Sequence, residues 1–159
     1  MNPNQSWLAA CRLADLNPSA PARSWLTERG SLTARLRRHW PDLAVELQGE
    51  AQQRPWPCEL ERLDLPQDSL AWVRCVTLHQ AGQALVQART VIPAWSPTNP
   101  WHEIERLGCR PLGELLFQQT ALERSDFEFA RTPSGWARRC IFRRQGAPLL
   151  LTEYFLAWL

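Results

Sequence analysis

Two charged residues interrupt apolar, strand-like stretches and are the first candidates for chemistry. Glu153 lies in Leu149-Leu150-Leu151-Thr152-Glu153-Tyr154-Phe155-Leu156, and Arg74 lies in Trp72-Val73-Arg74-Cys75-Val76-Thr77-Leu78. Alternate residues of a strand share a face, so each charge is predicted to point to the same side as its apolar second neighbours. A charge on such a face must be compensated by another group. The two residues therefore predict either a buried ion pair or a polar pocket within an apolar core.

A third strand-like stretch adds a second cation. Arg89 shares its face with Leu85 and Val91. If Arg89 and Arg74 both point inward, the interior holds two cations and one carboxylate, which favours an anionic ligand. The alternative is that Arg89 is an exposed strand residue.

Four later arginines are expected to be solvated, because alternation divides each adjacent pair between two faces: Arg138, Arg139, Arg143 and Arg144.

Composition excludes several kinds of chemistry. All 18 basic residues are arginines, so no lysine is present to form a Schiff base or a phosphate-binding P-loop. The five cysteines contain no C-x-x-C pair, and the three histidines have no metal-ligand spacing. No nucleophile elbow or glycine-rich phosphate loop occurs. We expect no metal and no cofactor.

The sequence also indicates where the protein is located and whether it binds nucleic acid. Dispersed cysteines indicate reduced thiols and a cytoplasmic protein. The stretch Leu8-Ala9-Ala10-Cys11 lacks the basic and apolar regions of an export signal, and no apolar run is long enough to span a bilayer. A net charge of +2 argues against a dedicated nucleic-acid binder.

The elements that must position these residues form an α+β pattern in a single domain, residues 1–159. Helical pairs are predicted within residues 22–40 and 98–118, the first with a tight joint at Gly30-Ser31. A first strand is predicted around Leu43–Leu47, and residues 51–68 are predicted to be irregular because of their prolines. Short turns predict an antiparallel sheet of about six strands, with these further members: Ala71–His79, Ala84–Ile92, Thr120–Arg131, Trp136–Arg144 and Ala147–Leu156.

Several of these stretches together resemble the chorismate pyruvate-lyase family, the bacterial enzymes that form 4-hydroxybenzoate at the entry to ubiquinone synthesis. The resemblance runs in order from about residue 70 to the end of the chain: Trp72-Val73-Arg74, Ala88-Arg89-Thr90-Val91-Ile92-Pro93, Leu107-Gly108, Pro111-Leu112-Gly113, Leu116-Phe117, Gly135-Trp136-Ala137-Arg138-Arg139 and Pro148-Leu149-Leu150-Leu151-Thr152-Glu153. It implies a six-stranded antiparallel sheet with helical flaps that close over an internal cavity.

The resemblance also implies a site and a reaction. Arg74 matches the arginine that binds the aromatic carboxylate, and Glu153 matches the carboxylate that faces the ring hydroxyl. Leu32 and Leu112 match flap residues whose backbone N–H groups bind the ligand carboxylate. The implied substrate is chorismate, and the implied products are pyruvate and an inhibitory 4-hydroxybenzoate. The expected protein is a cofactor-free monomer in the cytoplasm.

The sequence leaves the roles of two residues open, Arg89 and Glu153. Arg89 is the candidate for binding the enolpyruvyl carboxylate of chorismate. Glu153 either donates a proton to the departing oxygen or positions the substrate as a carboxylate, because burial and nearby arginines act on its charge in opposite directions.

Two other functions compete with the enzyme. Effector domains of some bacterial transcription regulators share this fold and sense small acids without catalysis. Such domains normally follow a DNA-binding domain, and the helical pair at 22–40 is too short to be one. The presence of Glu153 together with Arg74 also favours the enzyme. An arginine-rich nucleic-acid binder conflicts with the low net charge and with strand alternation.

Overall fold

One antiparallel sheet dominates the computed structural model, which describes residues 1, 4–117, 122–156 and 158. Eight strands are present in these described residues, and seven of them are paired in the order β1-β6-β7-β8-β4-β3-β2, while β5 pairs with β7. Their bounds are β1 Leu8–Ala9, β2 Ala44–Gln53, β3 Ala71–Gln80, β4 Gln83–Pro93, β5 Glu123–Arg124, β6 Glu128–Thr132, β7 Gly135–Arg144 and β8 Ala147–Phe155. The predicted antiparallel α+β class is confirmed.

Two tight hairpins set the register at the centre of the sheet. Ala81 and Gly82 join β3 to β4, and Gln145 and Gly146 join β7 to β8; all four have positive φ. Two consecutive residues of positive φ form the turn whose twist matches that of paired strands. The hairpin β7–β8 is regular, whereas the pairing of β3 with β4 shifts by one residue next to Leu78 and His79.

Two helical segments cover one face of the sheet. The first flap, residues 20–39, contains α1 (Ala20–Leu26) and α2 (Leu32–His39). The second flap, residues 102–117, contains a 3-10 helix (His102–Arg106) and α4 (Leu112–Leu116). Each helix of the first flap begins at a serine whose Oγ accepts an N–H group of the first turn. Apolar residues of both flaps pack with strand residues in one buried cluster, which includes Leu26, Leu36, Ile104, Val76 and Phe142.

The opposite face of the sheet is covered by α3 (Pro57–Leu63), which contacts β8. A smaller apolar cluster fills this side and includes Val73, Val91, Ile141 and Leu150. The prediction that residues 51–68 are irregular is wrong. Pro57 lies in the first helical turn, where the missing N–H group has no cost, and the Glu59 carboxylate accepts the Trp56 N–H at 2.8 Å.

The predicted strand Thr120–Arg131 is also corrected. In the described part of this segment the chain forms two short strands, β5 and β6, separated by Ser125–Phe127. The Ser125 hydroxyl accepts the Ile141 N–H, and its own N–H donates to the Ile141 carbonyl, so this segment departs from regular pairing. Residues 118–121, where the predicted strand begins and the second predicted helical pair ends, lie outside the described residues. Among the described helices, none has the length and apolarity that crossing a membrane requires.

Candidate functional site

A cavity lies between the flaps and the sheet. It contains about 660 Å³ of empty space, including its opening to solvent. Its floor consists of alternate residues of four adjacent strands, among them Val76, Leu78, Ala88, Leu151 and Phe142. Both flaps contribute to its walls. The described charged residues that line it are three arginines and one glutamate: Arg74, Arg124, Arg138 and Glu153. An apolar chamber with a few convergent charges is typical of a site for a small anionic molecule.

Arg74 reaches the cavity from β3 and is 1% exposed. Its Nη2 donates to the carbonyls of Gly108 at 2.7 Å and Arg110 at 3.1 Å, so the guanidinium is attached to the second flap. Its Nε is buried and has no hydrogen-bond partner within the described residues; the nearest carboxylate is that of Glu50, at 3.8 Å. Burial lowers the pKa of Arg74, while Glu50 opposes the shift. The Arg74 Nε and the Glu50 Oε2 are both buried and lie too far apart for a hydrogen bond, so the Arg74 Nε can still donate to a bound ligand.

Glu153 reaches the cavity from β8, and its partner is Arg138 of β7. These residues face each other across the two strands, and Arg138 Nε donates to Glu153 Oε2 at 2.6 Å. The side chains are 3% and 12% exposed, so the ion pair is largely removed from water. The sequence left open a direct pair between Arg74 and Glu153, but the structure pairs each with a different residue.

Arg138 also connects the sheet to the first flap. Its Nη1 donates to the carbonyls of Trp25, Leu26 and Glu28 at 2.8 to 3.1 Å, near the end of α1. The expectation that Arg138 and Arg139 are solvated is wrong, because both are buried. Arg139 lies on the other face, where it bonds the carboxylate of Glu128. Arg143 is exposed, and the side chain of Arg144 is 25% exposed beside Glu103.

Leu32 and Leu112 occupy equivalent positions in the two flaps. Each is the first residue of a helix, α2 or α4, and each lines the cavity. The N–H groups at the start of a helix have no acceptor within it. The flaps touch each other here: a Cβ added to Gly113 would lie only 2.8 Å from the Ser31 Oγ. The two leucine amides are therefore available as donors at the seam between the flaps.

Arg89 does not lie in the cavity, which corrects the prediction that it points inward with Arg74. Thr90, not Arg89, pairs with Arg74 in the sheet, so Arg89 points to the face covered by α3. Its Nε and Nη2 donate to the two oxygens of Glu59 at 2.6 and 3.0 Å, and its guanidinium stacks on Trp56. Both members of this pair are almost fully buried.

No group of three or more histidine, cysteine, aspartate or glutamate side chains in the described residues is arranged to hold a metal ion. Cys140 lines the cavity, where burial and, secondarily, the nearby Glu153 charge raise the pKa of its thiol to about 12. The chamber therefore offers cationic donors, one paired carboxylate and a neutral thiol on apolar walls.

Comparison with known proteins identifies close relatives. A family model described as "Chorismate lyase" matches residues 1–158. A probable chorismate pyruvate-lyase of Hydrogenovibrio crunogenus is 36% identical, with 94% of this chain and 89% of the relative covered. The chorismate pyruvate-lyases of Sodalis glossinidius and Serratia proteamaculans are each 38% identical; the matches cover 87% and 97% of this chain and 79% and 87% of those proteins.

A solved structure shares the fold at much lower identity. It is a possible transcriptional regulator, YydK, of Bacillus subtilis, which matches with a TM-score of 0.50 and 9% identity. The match covers 72% of this chain and 58% of that chain, so the matched region is somewhat more than half of the regulator. At this identity the likeness extends to the fold alone.

Proposed function

The chain belongs to the chorismate lyase family, and from this premise we propose that it eliminates pyruvate from chorismate and leaves 4-hydroxybenzoate, a precursor of ubiquinone. The observation that supports the proposal most directly is the apolar cavity in which Arg74, Glu153 and the first residues of two flap helices meet. Chorismate carries a ring carboxylate, which Arg74 and the helix N–H groups can bind, and a ring hydroxyl, which Glu153 can bind.

Arg74 and the amides of Leu32 and Leu112 bind the ring carboxylate in this proposal. The buried Nε of Arg74 lacks a hydrogen-bond partner among the described residues, and a carboxylate would supply one. Two leucine N–H groups without helical acceptors would complete the site. Hydrogen bonds between charged partners are stronger than neutral ones, and a guanidinium fits the planar carboxylate.

Glu153 acts as a carboxylate that accepts the ring hydroxyl, not as a protonated acid. The support for this choice is the 2.6 Å bond from Arg138, whose guanidinium stabilises negative charge on Glu153. A carboxylate in this position orients the ring and stabilises the hydroxyl through the reaction. Arg138 is therefore a positioning residue in the same proposal.

The reaction itself requires little from the protein beyond orientation. The ether bond to the ring breaks, and the enolpyruvyl oxygen departs with the bonding electrons. The ring carbon that bears the hydroxyl loses its hydrogen as a proton, and the ring becomes aromatic. The enolpyruvate gains a proton at its methylene carbon and becomes pyruvate. The atoms of chorismate are conserved in the two products, so neither water nor a redox partner is consumed.

The same proposal includes the oligomeric state, the location and the product inhibition of the enzyme. The protein works as a monomer in the cytoplasm, binds no nucleic acid, and is inhibited by 4-hydroxybenzoate. Because the flaps cover the cavity, they must open before product leaves, and release limits turnover.

The decisive experiment is incubation of the purified protein with chorismate in the presence of a metal chelator. We expect pyruvate and 4-hydroxybenzoate in equal amounts. Formation of salicylate or 3-hydroxybenzoate would contradict the proposal and indicate a different chemistry on chorismate. Binding of 4-hydroxybenzoate without any pyruvate release would instead support a non-catalytic small-acid-sensing domain, the alternative that the shared fold leaves open.

A further inference from the structure

Arg124 is the cavity arginine that the proposed reaction has not used. It lies in β5, beside β7, and its side chain lines the chamber with Arg74 and Arg138. Its guanidinium carbon is 5.0 Å from the ring centroid of Phe127 and 5.8 Å from that of Phe142. Aromatic faces hold a cation in place without neutralising it. The guanidinium is thus fixed at the cavity wall while keeping its charge.

The charges in the lining are unbalanced without a ligand. Arg138 is neutralised by Glu153 at 2.6 Å, which leaves Arg74 and Arg124 as the two described cations of the lining that hydrogen-bond no carboxylate. The carboxylate of Glu50, which is not part of the lining, lies 3.8 Å from the Arg74 Nε. The Arg124 side chain has no carboxylate within 4.0 Å among the described residues, and its one hydrogen bond within them runs from Nη1 to the Arg29 carbonyl at 2.7 Å. Two cations on an apolar wall match a ligand with two negative charges.

Desolvation lowers the pKa of Arg124, and the neighbouring charges of Arg29 and Arg138 act in the same direction, while Cys140 and Glu153 oppose the shift. Its surroundings therefore disfavour the cation, although arginine remains charged in proteins. A carboxylate bound beside Arg124 would relieve this penalty. Arg89, which the sequence suggested for a second carboxylate, is bound to Glu59 on the other side of the sheet and is not available.

We propose that Arg124 binds the second carboxylate of the substrate, the one carried by the departing enolpyruvyl group. This inference rests on the proposed function and adds a specificity residue to it. Arg74 holds the carboxylate that stays on the ring, and Arg124 holds the carboxylate that leaves with pyruvate. The product 4-hydroxybenzoate lacks the second carboxylate, so Arg124 favours substrate over product.

Chorismate carries the second carboxylate and 4-hydroxybenzoate does not. Variants of Arg124 should therefore affect the two ligands differently. Arg124→Met should raise the KM for chorismate by about ten- to a hundredfold, as expected for loss of a charged hydrogen bond. The inhibition constant of 4-hydroxybenzoate should stay within a factor of about two of wild type if only the second carboxylate is affected. Arg124→Lys, which keeps the charge, should recover part of the affinity for chorismate. Arg143→Met, at an exposed arginine of β7, is the matched control and should change neither constant.

Each outcome tests a different statement. Equal weakening of chorismate and 4-hydroxybenzoate binding would overturn the inference, because it would mean that Arg124 serves only to hold the first flap through the Arg29 carbonyl. An unchanged KM in Arg124→Met would overturn it as well, while leaving the proposed function intact. Failure of the wild-type protein to release pyruvate in the same assay would overturn the proposed function and this inference together.

Discussion

Arg138 and Glu153 are cross-strand neighbours whose side chains form a 2.6 Å ion pair in the floor of the cavity. The same guanidinium donates to three carbonyls at the end of α1. One side chain thus orients the cavity carboxylate and attaches the first flap to the sheet. Orientation of the Glu153 carboxylate and attachment of the first flap therefore both depend on Arg138.

Replacing Arg138 should therefore harm both stability and activity. Arg138→Met leaves Glu153 as a buried charge without its partner, a change that typically lowers the free energy of unfolding by about 3–5 kcal/mol. Chemical denaturation measures this loss. The double variant Arg138→Met/Glu153→Gln should be more stable than Arg138→Met, because the unpaired charge is gone, yet it should remain inactive. A double variant no more stable than the single one would contradict the charge argument.

Arg74 and Glu153 should each be essential for turnover. Arg74→Ala and Glu153→Ala should lower kcat/KM for chorismate at least about a hundredfold, the effect commonly seen when an oriented group in a water-poor site is removed. Steady-state release of pyruvate gives the ratio. Glu153→Gln keeps the size of the side chain and removes its charge; wild-type activity in that variant would argue against a carboxylate role. Arg143→Ala serves as the exposed control.

Arg89 and Glu59 should matter for stability and not for substrate binding. Their pair lies beneath α3, on the opposite face of the sheet from the cavity. Arg89→Met or Glu59→Gln should each lower the free energy of unfolding by about 3–5 kcal/mol, since one buried charge loses its partner. At a temperature where the variants remain folded, the KM for chorismate should be unchanged. A large increase in KM with unchanged stability would contradict this prediction and indicate that Arg89 contacts the substrate.

Cys140 should be unreactive in the folded protein. Burial and, secondarily, the Glu153 charge raise the pKa of its thiol from 9.0 to about 12, so at pH 8 the reactive thiolate is almost absent. Iodoacetamide followed by mass spectrometry should label the exposed Cys11 and Cys109 in the native protein, and Cys140 only after unfolding.

The same shift has a consequence for stability. A thiol that ionises less readily in the fold than in the unfolded chain stabilises the fold fully below the unfolded pKa. That contribution should be lost progressively as pH rises from 9.0 towards about 12. Native labelling of Cys140 at a rate equal to that of Cys11 would show that the chamber is open.

Gly113 should be required for the close contact between the two flaps. Its substitution by alanine places a methyl group 2.8 Å from the Ser31 Oγ, which then must leave the N–H of Ala34 that it caps. Loss of such a cap costs about 1 kcal/mol, and we expect a higher KM because the Leu32 amide moves with Ser31. Gly49→Ala is the control, since nothing lies within 4 Å of the added carbon. Equal effects of the two substitutions would contradict a specific contact between the flaps.

Strand alternation and hairpin turns were enough to predict part of the site. The alternation around Arg74 and Glu153 predicted that both face the interior, and the structure places both in the cavity lining. Arg138 was missed, although a signal for it existed. In a regular hairpin that turns at Gln145-Gly146, Arg138 and Glu153 lie equally far from the turn and must face each other.

The position of Arg89 could not be obtained in this way. A regular hairpin turning at Ala81-Gly82 would place Arg89 opposite Arg74, on the same face. The register shift near Leu78 and His79 pairs Arg74 with Thr90 instead, and a shift of one residue moves a side chain to the other face. Arg124 was hidden for a similar reason, because the break between β5 and β6 depends on hydrogen bonds of Ser125 that no local pattern predicts.

The cavity arginines hold the flaps through main-chain oxygen atoms: Arg74 at Gly108 and Arg110, Arg124 at Arg29, and Arg138 at Trp25, Leu26 and Glu28. Every amino acid supplies that oxygen. A substitution at one of these anchor points therefore does not by itself remove the hydrogen bond, as long as the backbone keeps its path. Attachment of the flaps to the sheet at these points depends on the path of the flap backbone, not on a particular flap side chain as acceptor.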